Sequence, residues 1–387
     1  MLSRRLPGDL APNAWARLLE ERRAAGAPLL DLAETNPTRV GLGGAGLEEL
    51  AALAQAAGAR YEPDPRGSRA AREAVAGYYA ARGQGVDPER VVLTASTSES
   101  YAHLFRMLAD PGGTFLVPAP SYPLFGPLAA LEGVALRPYR LAYDGEWHLD
   151  RHSLEQAFGP DVRGVVVVEP NHPTGSCLDG EERALLAALC ERHGAAIVAD
   201  EVFGDFARGA EPLPGFVGEA RVPTFVLSGL SKVCGMPQMK LGWIVADGPA
   251  AAREAALKGL EWIADLFLSV STPVQVALPR LLAARGGFQQ RVRERLVRNL
   301  ATLDRLVAAR PELGVLPARG GWAAVLRVPR TRTEEEWALG LLSRDVVVHP
   351  GHFYDFAGEG YLVLSLIPEP DVFHAGCVRL AEFAGQE

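Results

Sequence analysis

Five short apolar runs, each closing on polar residues, constrain the fold of this chain more than any other feature. They are RVVLTAS (90–96), GTFLVPAPSY (113–122), RGVVVVEPNHPTG (163–175), AAIVADEVF (195–203) and TFVLSGLSK (224–232). Helix-forming sequence lies among them, such as RAAREAVAGYYAAR (69–82) and ESYAHLFRML (99–108). Near-continuous apolar strands alternating with helices predict an α/β fold with a mostly parallel sheet covered by helices on both faces. Ligands of such sheets bind beyond the carboxyl ends of the strands. The residues that close the runs are therefore the ones to examine: Ser96, Thr97, Tyr122, Asn171, His172, Asp200, and Ser228 to Lys232.

The pattern changes near Phe288. A long amphipathic helix is followed by GVLPARGGWAAVLRVP, DVVVHPG and GYLVLSLIP, which predict a smaller α/β domain at the C-terminus. The expected division is 1–45 as an N-terminal arm with part of the small domain, 46–287 as the large domain, and 288–387 as the small domain. At 387 residues the chain is long enough for two cores.

Charge and composition remove other classes. A net charge of −8 argues against a nucleic-acid binder, which needs a basic surface. The arginines of 291–310 fall on the polar face of the predicted amphipathic helix. The four cysteines, Cys177, Cys190, Cys234 and Cys377, are scattered, so neither a metal site nor a disulfide framework is expected. No apolar run is long enough for a membrane span and the N-terminus has no apolar leader, so a cytoplasmic location is expected.

Within SGLSKVCGMPQMKLGW, Lys232 stands among small and apolar residues. Desolvation disfavours the ammonium form, and a neutral lysine is a nucleophile toward carbonyls. A snorkelling or ion-paired lysine fits the same stretch. Asp200 closes a strand, where a carboxylate either meets a cation, such as a protonated pyridine nitrogen, or caps the next helix. TASTSES (94–100) joins a strand to a helix, a setting for a phosphate or for an ordinary cap.

Taken in order, the phosphate turn, the aromatic Tyr122, PNHPTG, ADEVF and SGLSK resemble the class I/II aminotransferases, the fold-type I enzymes dependent on pyridoxal phosphate. The resemblance runs from DLAETNPT through YEPDPRGSRAAREAVAGYY into the C-terminal region. It implies that Lys232 carries the Schiff base to pyridoxal 5'-phosphate and then shuttles a proton. Asp200 would pair with the pyridine nitrogen and Tyr122 would stack on the ring. Ser96, Thr97, Ser228 and Lys240 would hold the phosphate. Tyr61 would reach the phosphate of a neighbouring subunit, implying a homodimer with shared active sites. The partners implied are a small-molecule amino donor and a carbonyl acceptor, with no nucleic acid, membrane or metal.

Three positions depart from that family. His172 stands where it has asparagine, with Asn171 one residue earlier, and Phe203 stands where it has a tyrosine that bonds the cofactor's phenolic oxygen. His172 is the candidate replacement donor. In GEGYLVLSLIPEP, Val363 occupies the place of an arginine that clamps the substrate carboxylate. Arg39, and after it Arg319, are the candidate substitutes, unless the substrate presents no carboxylate there. A lyase, racemase, decarboxylase or oxidase on the same fold is the alternative, and a non-catalytic regulatory protein a further one.

Overall fold

A computed structural model of the chain describes residues 3–7, 10–44 and 46–386. Residues 1, 2, 8, 9 and 45 of the expected arm, and residue 387, lie outside the described residues. The large sheet has eight strands in the order Val91–Thr94, Gly242–Asp247, Thr224–Gly229, Ala196–Asp200, Val162–Val168, Thr114–Ala119, Ala135–Tyr143, Trp147–Leu149. The five strands from Thr224–Gly229 to Ala135–Tyr143 run parallel. Gly242–Asp247 is antiparallel to both of its neighbours, Val91–Thr94 and Thr224–Gly229. That strand was not among the runs singled out above, because GWIVAD follows directly on the lysine loop and shares its apolar character.

Burial alternates along the central strands as a sheet covered on both faces requires. Val165, Val167, Ile197 and Ala199 pack into the core on one face. Val166, Val168, Ala196 and Val198 pack into the core on the other. Each fully buried aliphatic side chain contributes about 1.5–3 kcal/mol, so the central strands hold the sheet together from both sides. Helix Gly180–His193 shows how sharply the connections are punctuated. Asp179 accepts from the Glu182 amide while Glu182 reaches back to the Asp179 amide, and Gly194 closes the helix at φ 65°.

The smaller unit is an antiparallel sheet in the order Gly314–Val315, Ala323–Arg327, Tyr361–Ser365, His349–Pro350. Helices Arg285–Ala309, Glu334–Leu342 and Pro370–Ala384 pack around it in a core containing Trp322, Trp337 and Phe373. The N-terminal segment joins this unit. Strand Leu30–Asp31 pairs in parallel with Val346–Val347, and the Ser365 amide donates to the Leu32 carbonyl at 2.7 Å. The residues immediately after Leu32 are thereby carried from the small sheet toward the edge of the large one.

Candidate active site

Sheet register decides which strand ends meet. Thr94 is paired with Gly242, Gly242 with Gly229, Asp200 with Leu227, and Val168 with Asp200. Their loops therefore leave from one edge. A cavity of about 140 Å³ opens there, walled by Ser96, Thr97, Tyr122, Val168, His172, Asp200, Val202, Phe203, Ser231 and Lys232, with Thr35 from the N-terminal segment. Gly242 lies where the chains crowd closely. A Cβ on it would sit 3.1 Å from the Ser228 carbonyl oxygen and 3.2 Å from the Ser96 carbonyl carbon.

Asp200 is buried at its strand end. Its Oδ2 accepts from the Tyr101 hydroxyl at 3.0 Å and its Oδ1 from the Val202 amide at 3.1 Å. Burial raises its pKa to about 6, against the lowering effect of those two bonds and of Lys232. Lys232 shows the opposite shift. Burial brings it down to about 8, partly offset by the carboxylates of Asp200 and Glu34. Its Nζ stands 5.5 Å from the Phe203 ring centre and 5.1 Å from that of Trp322. The site thus holds one amine near its neutral form and one carboxylate suited to a cationic partner.

At one end of the cavity Ser96 caps helix Thr97–Leu108 by accepting from the Glu99 amide at 3.2 Å. The first-turn amides of such a helix lack intrahelical acceptors and favour an anion. Ser228, buried beside them in the sheet, has a side-chain oxygen with no hydrogen-bond partner among the described residues. An orphaned hydroxyl, a helix N-terminus, a desolvated lysine and a buried carboxylate are the donor set that pyridoxal phosphate requires. The residues present fit that group.

At the other end the walls are aromatic. The His172 ring stacks on Phe203 at 5.7 Å and meets Tyr122 and Tyr354 edge-on. Burial, with Lys232 nearby, pushes His172 down to about 3, so its imidazole is neutral. Val363 is buried with Leu316, Ala323, Val325, Tyr354 and Phe356. Across from it in register stands His349, whose Nδ1 shares a 2.8 Å hydrogen bond with the Tyr354 hydroxyl. Burial holds His349 near pKa 4, neutral as well.

Ser96, Thr97, Tyr122, His172, Asp200 and Lys232 come together around this cavity. Asn171 does not join them. Its amide nitrogen donates to the Pro120 carbonyl and to Thr174 Oγ1, and its oxygen accepts from Ser121. It ties the loop before Tyr122 to the loop bearing His172. Lys240 stands exposed at φ 50°, outside the cavity lining. Tyr61 is 79% exposed and borders a separate hollow between residues 61–67 and 268–275. Arg39 is exposed and pairs with Glu34 at 3.4 Å, and Arg319 is exposed on its loop. Tyr101, Trp322, Glu34 and Thr35 were missed by sequence reasoning. Tyr101 had a signal, standing one helical turn after Thr97 on the same face.

The chain matches the model of the family "Aminotransferase class I and II" over residues 32–371 and belongs to that family. It is 28% identical over 228 residues to the glutamate-pyruvate aminotransferase AlaA of Escherichia coli K12, covering 58% of this chain and 56% of that protein. That match spans little more than half of the relative's length. Mouse tyrosine aminotransferase is 27% identical over 333 residues, covering 83% of this chain and 72% of that one. In three dimensions an alanine aminotransferase from Pyrococcus furiosus superposes over the whole of both chains with a TM-score of 0.91 at 21% identity. The fold is that of the fold-type I aminotransferases. No helix among the described residues is long and apolar enough to cross a membrane, and among them no cluster of His, Cys, Asp and Glu is disposed to hold a metal.

Proposed function

We propose that this chain is a pyridoxal-phosphate-dependent aminotransferase, moving an amino group by a ping-pong route from a small-molecule donor to a carbonyl acceptor. The observation that carries this reading is the placement of Lys232 and Asp200 on one cavity wall, the lysine lowered to about 8 and the carboxyl raised to about 6. When bound, pyridoxal phosphate supplies an electron sink for the bond broken at the donor's α-carbon.

The chain's own residues do the rest. Lys232 holds the cofactor and moves the proton at the α-carbon, with a pKa near working pH as a general acid and base needs. Asp200, aimed by Tyr101 and Val202, holds the proton on the pyridine nitrogen. Ser96, Thr97 and Ser228 would receive the phosphate, and Lys240, exposed outside the cavity lining, would add its cation only by turning inward. Tyr122 covers the ring. His172 donates to the phenolic oxygen, a bond that Phe203 cannot make. Arg39, on the segment that reaches the cavity through Thr35, meets a substrate carboxylate in place of the arginine that Val363 replaces.

A homodimer with shared sites completes this reading. Tyr61 projects from the chain to serve the neighbouring subunit, and Trp262, Leu266 and Phe267 form an exposed apolar patch for a second copy. The four cysteines are free and buried, in keeping with a reducing cytoplasm. The test is an absorbance titration of the cofactor-loaded protein with amino donors. Conversion of the visible band, reversed by an oxo acid, supports amino transfer. Product release without reversal by an oxo acid would move the assignment to a lyase, decarboxylase or oxidase.

A further inference from the structure

The segment that follows strand Leu30–Asp31 carries, next in sequence to the cavity-lining Thr35, a carboxylate that the chemistry above does not use. Thr35 lines the cavity, and Glu34 beside it has a side chain only 18% exposed. One Glu34 oxygen is anchored, accepting from the Asn36 amide at 2.8 Å. Among the described residues the other meets the guanidinium of Arg39, at 3.4 Å, and that arginine is 69% exposed. An exposed ion pair with so long a contact contributes little. Lys232 feels the Glu34 carboxylate, which is one of the two charges that hold the lysine's pKa up against burial.

The surfaces around Lys232 also suit a cation. The faces of Phe203 and Trp322 already lie within 5.5 Å of the Lys232 nitrogen, a distance at which an aromatic ring attracts positive charge. His172 and His349 are neutral and place no competing charge there. Val363 sits in an apolar cluster. Asp200 is already engaged by Tyr101 and Val202 and is needed for the pyridine nitrogen, which leaves Glu34 as the carboxylate open to a substrate.

We infer that Glu34 determines substrate specificity: its carboxylate receives a second, cationic group of the amino donor, an ammonium or a guanidinium, which displaces Arg39. This inference rests on the aminotransferase reading. The exchange is favourable because a charge-assisted hydrogen bond formed inside a cavity is stronger than the solvent-exposed contact it replaces. A donor without the second cation leaves Glu34 with Arg39 and gains nothing from it.

Matched donors test this on the cofactor-loaded protein. The pairs are 1,4-diaminobutane with butylamine, and L-ornithine with L-norvaline, so the outcome does not depend on whether the donor bears a carboxylate. The cation-bearing member of at least one pair is expected to have a kcat/KM higher by about tenfold or more. Glu34→Gln should abolish that preference through KM, while any change in kcat from the lost charge near Lys232 falls equally on both members of a pair. Arg39→Gln should keep the preference, because it frees the carboxylate. Thermal shifts of the loaded protein with the same amines report binding without turnover. Equal rates for both members in the unaltered protein would overturn the inference. So would an equal loss of kcat/KM for both members in Glu34→Gln, or an Arg39→Gln variant that loses the preference as fully. If no amine is converted but 1,4-diaminobutane raises the melting temperature of the unaltered protein and not of Glu34→Gln, the Glu34 assignment stands and the aminotransferase reading falls.

Discussion

The two ends of the cavity are built from different materials. The end around Ser96, Ser228, Asp200 and Lys232 is made of strand termini whose positions follow from sheet register and from close backbone approach at Gly229 and Gly242. The end around His172 and Phe203 is made of side chains on loops, and the His172 ring meets Tyr354 of the small-sheet cluster that contains Val363. Backbone geometry leaves little freedom at the first end. At the second end a single substitution changes charge or hydrogen bonding without disturbing a ladder. There the chain departs from the family three times, at His172, Phe203 and Val363. The contrast separates what the reaction class demands from what selects the substrate.

The largest test of this contrast is Lys232→Ala. Turnover should fall by about 10⁴-fold or more, with no covalent visible band on adding pyridoxal phosphate. A variant that kept the band would show that another amine holds the cofactor. Asp200→Ala should cost about 10²–10³-fold in kcat, the range seen when one preorganised electrostatic partner is removed. It would also leave the buried Tyr101 hydroxyl without its acceptor. An effect on stability alone, with kcat intact, would make Asp200 a structural residue.

At the substrate end the effects should be smaller and spectroscopic. His172→Phe should raise the pH midpoint of the cofactor's visible absorbance by about one unit, because a neutral histidine that donates to the phenolic oxygen stabilises its deprotonated form. An unchanged midpoint would remove His172 from the cofactor.

A further effect concerns stability of the protein without cofactor. His349 is depressed from 6.5 to about 4 in the folded chain. The unfolded state therefore binds the proton more readily, so this contribution is complete above about pH 6.5 and is lost as pH falls toward 4. Glu169, raised to about 7 by burial despite its pairing with Arg183, has the opposite sign and favours folding as pH falls. The difference between the unaltered protein and His349→Gln isolates the first contribution. Chemical denaturation should show the gap narrowing from pH 7 to pH 4, and a constant gap would mean that His349 is not desolvated.

Much of the strand-terminus end of the cavity was legible in the sequence. Apolar runs of strand length ending in Ser, Asp and Lys announce a parallel sheet whose carboxyl edge bears chemistry, and that pattern survives because strand burial and strand-end position are local consequences of the residues themselves. The aromatic Tyr122 and the substituted His172 were visible for the same reason, each following directly on such a run. Asn171, by contrast, lies beside His172 in sequence, yet its hydrogen bonds turn it into the tie between two loops.

What only the tertiary structure decided is which distant side chains share the cavity. The approach of Trp322 to Lys232, of Tyr101 to Asp200 and of Thr35 to the cavity depends on packing between elements up to about 200 residues apart. The sequence by itself determined the sheet, its active edge, and the lysine and carboxylate upon it, because hydrophobic periodicity and desolvation act residue by residue. The charge around the substrate's second group was decided by a two-residue strand, Leu30–Asp31, pairing with Val346–Val347 more than 300 residues away. No local pattern encodes such a pairing.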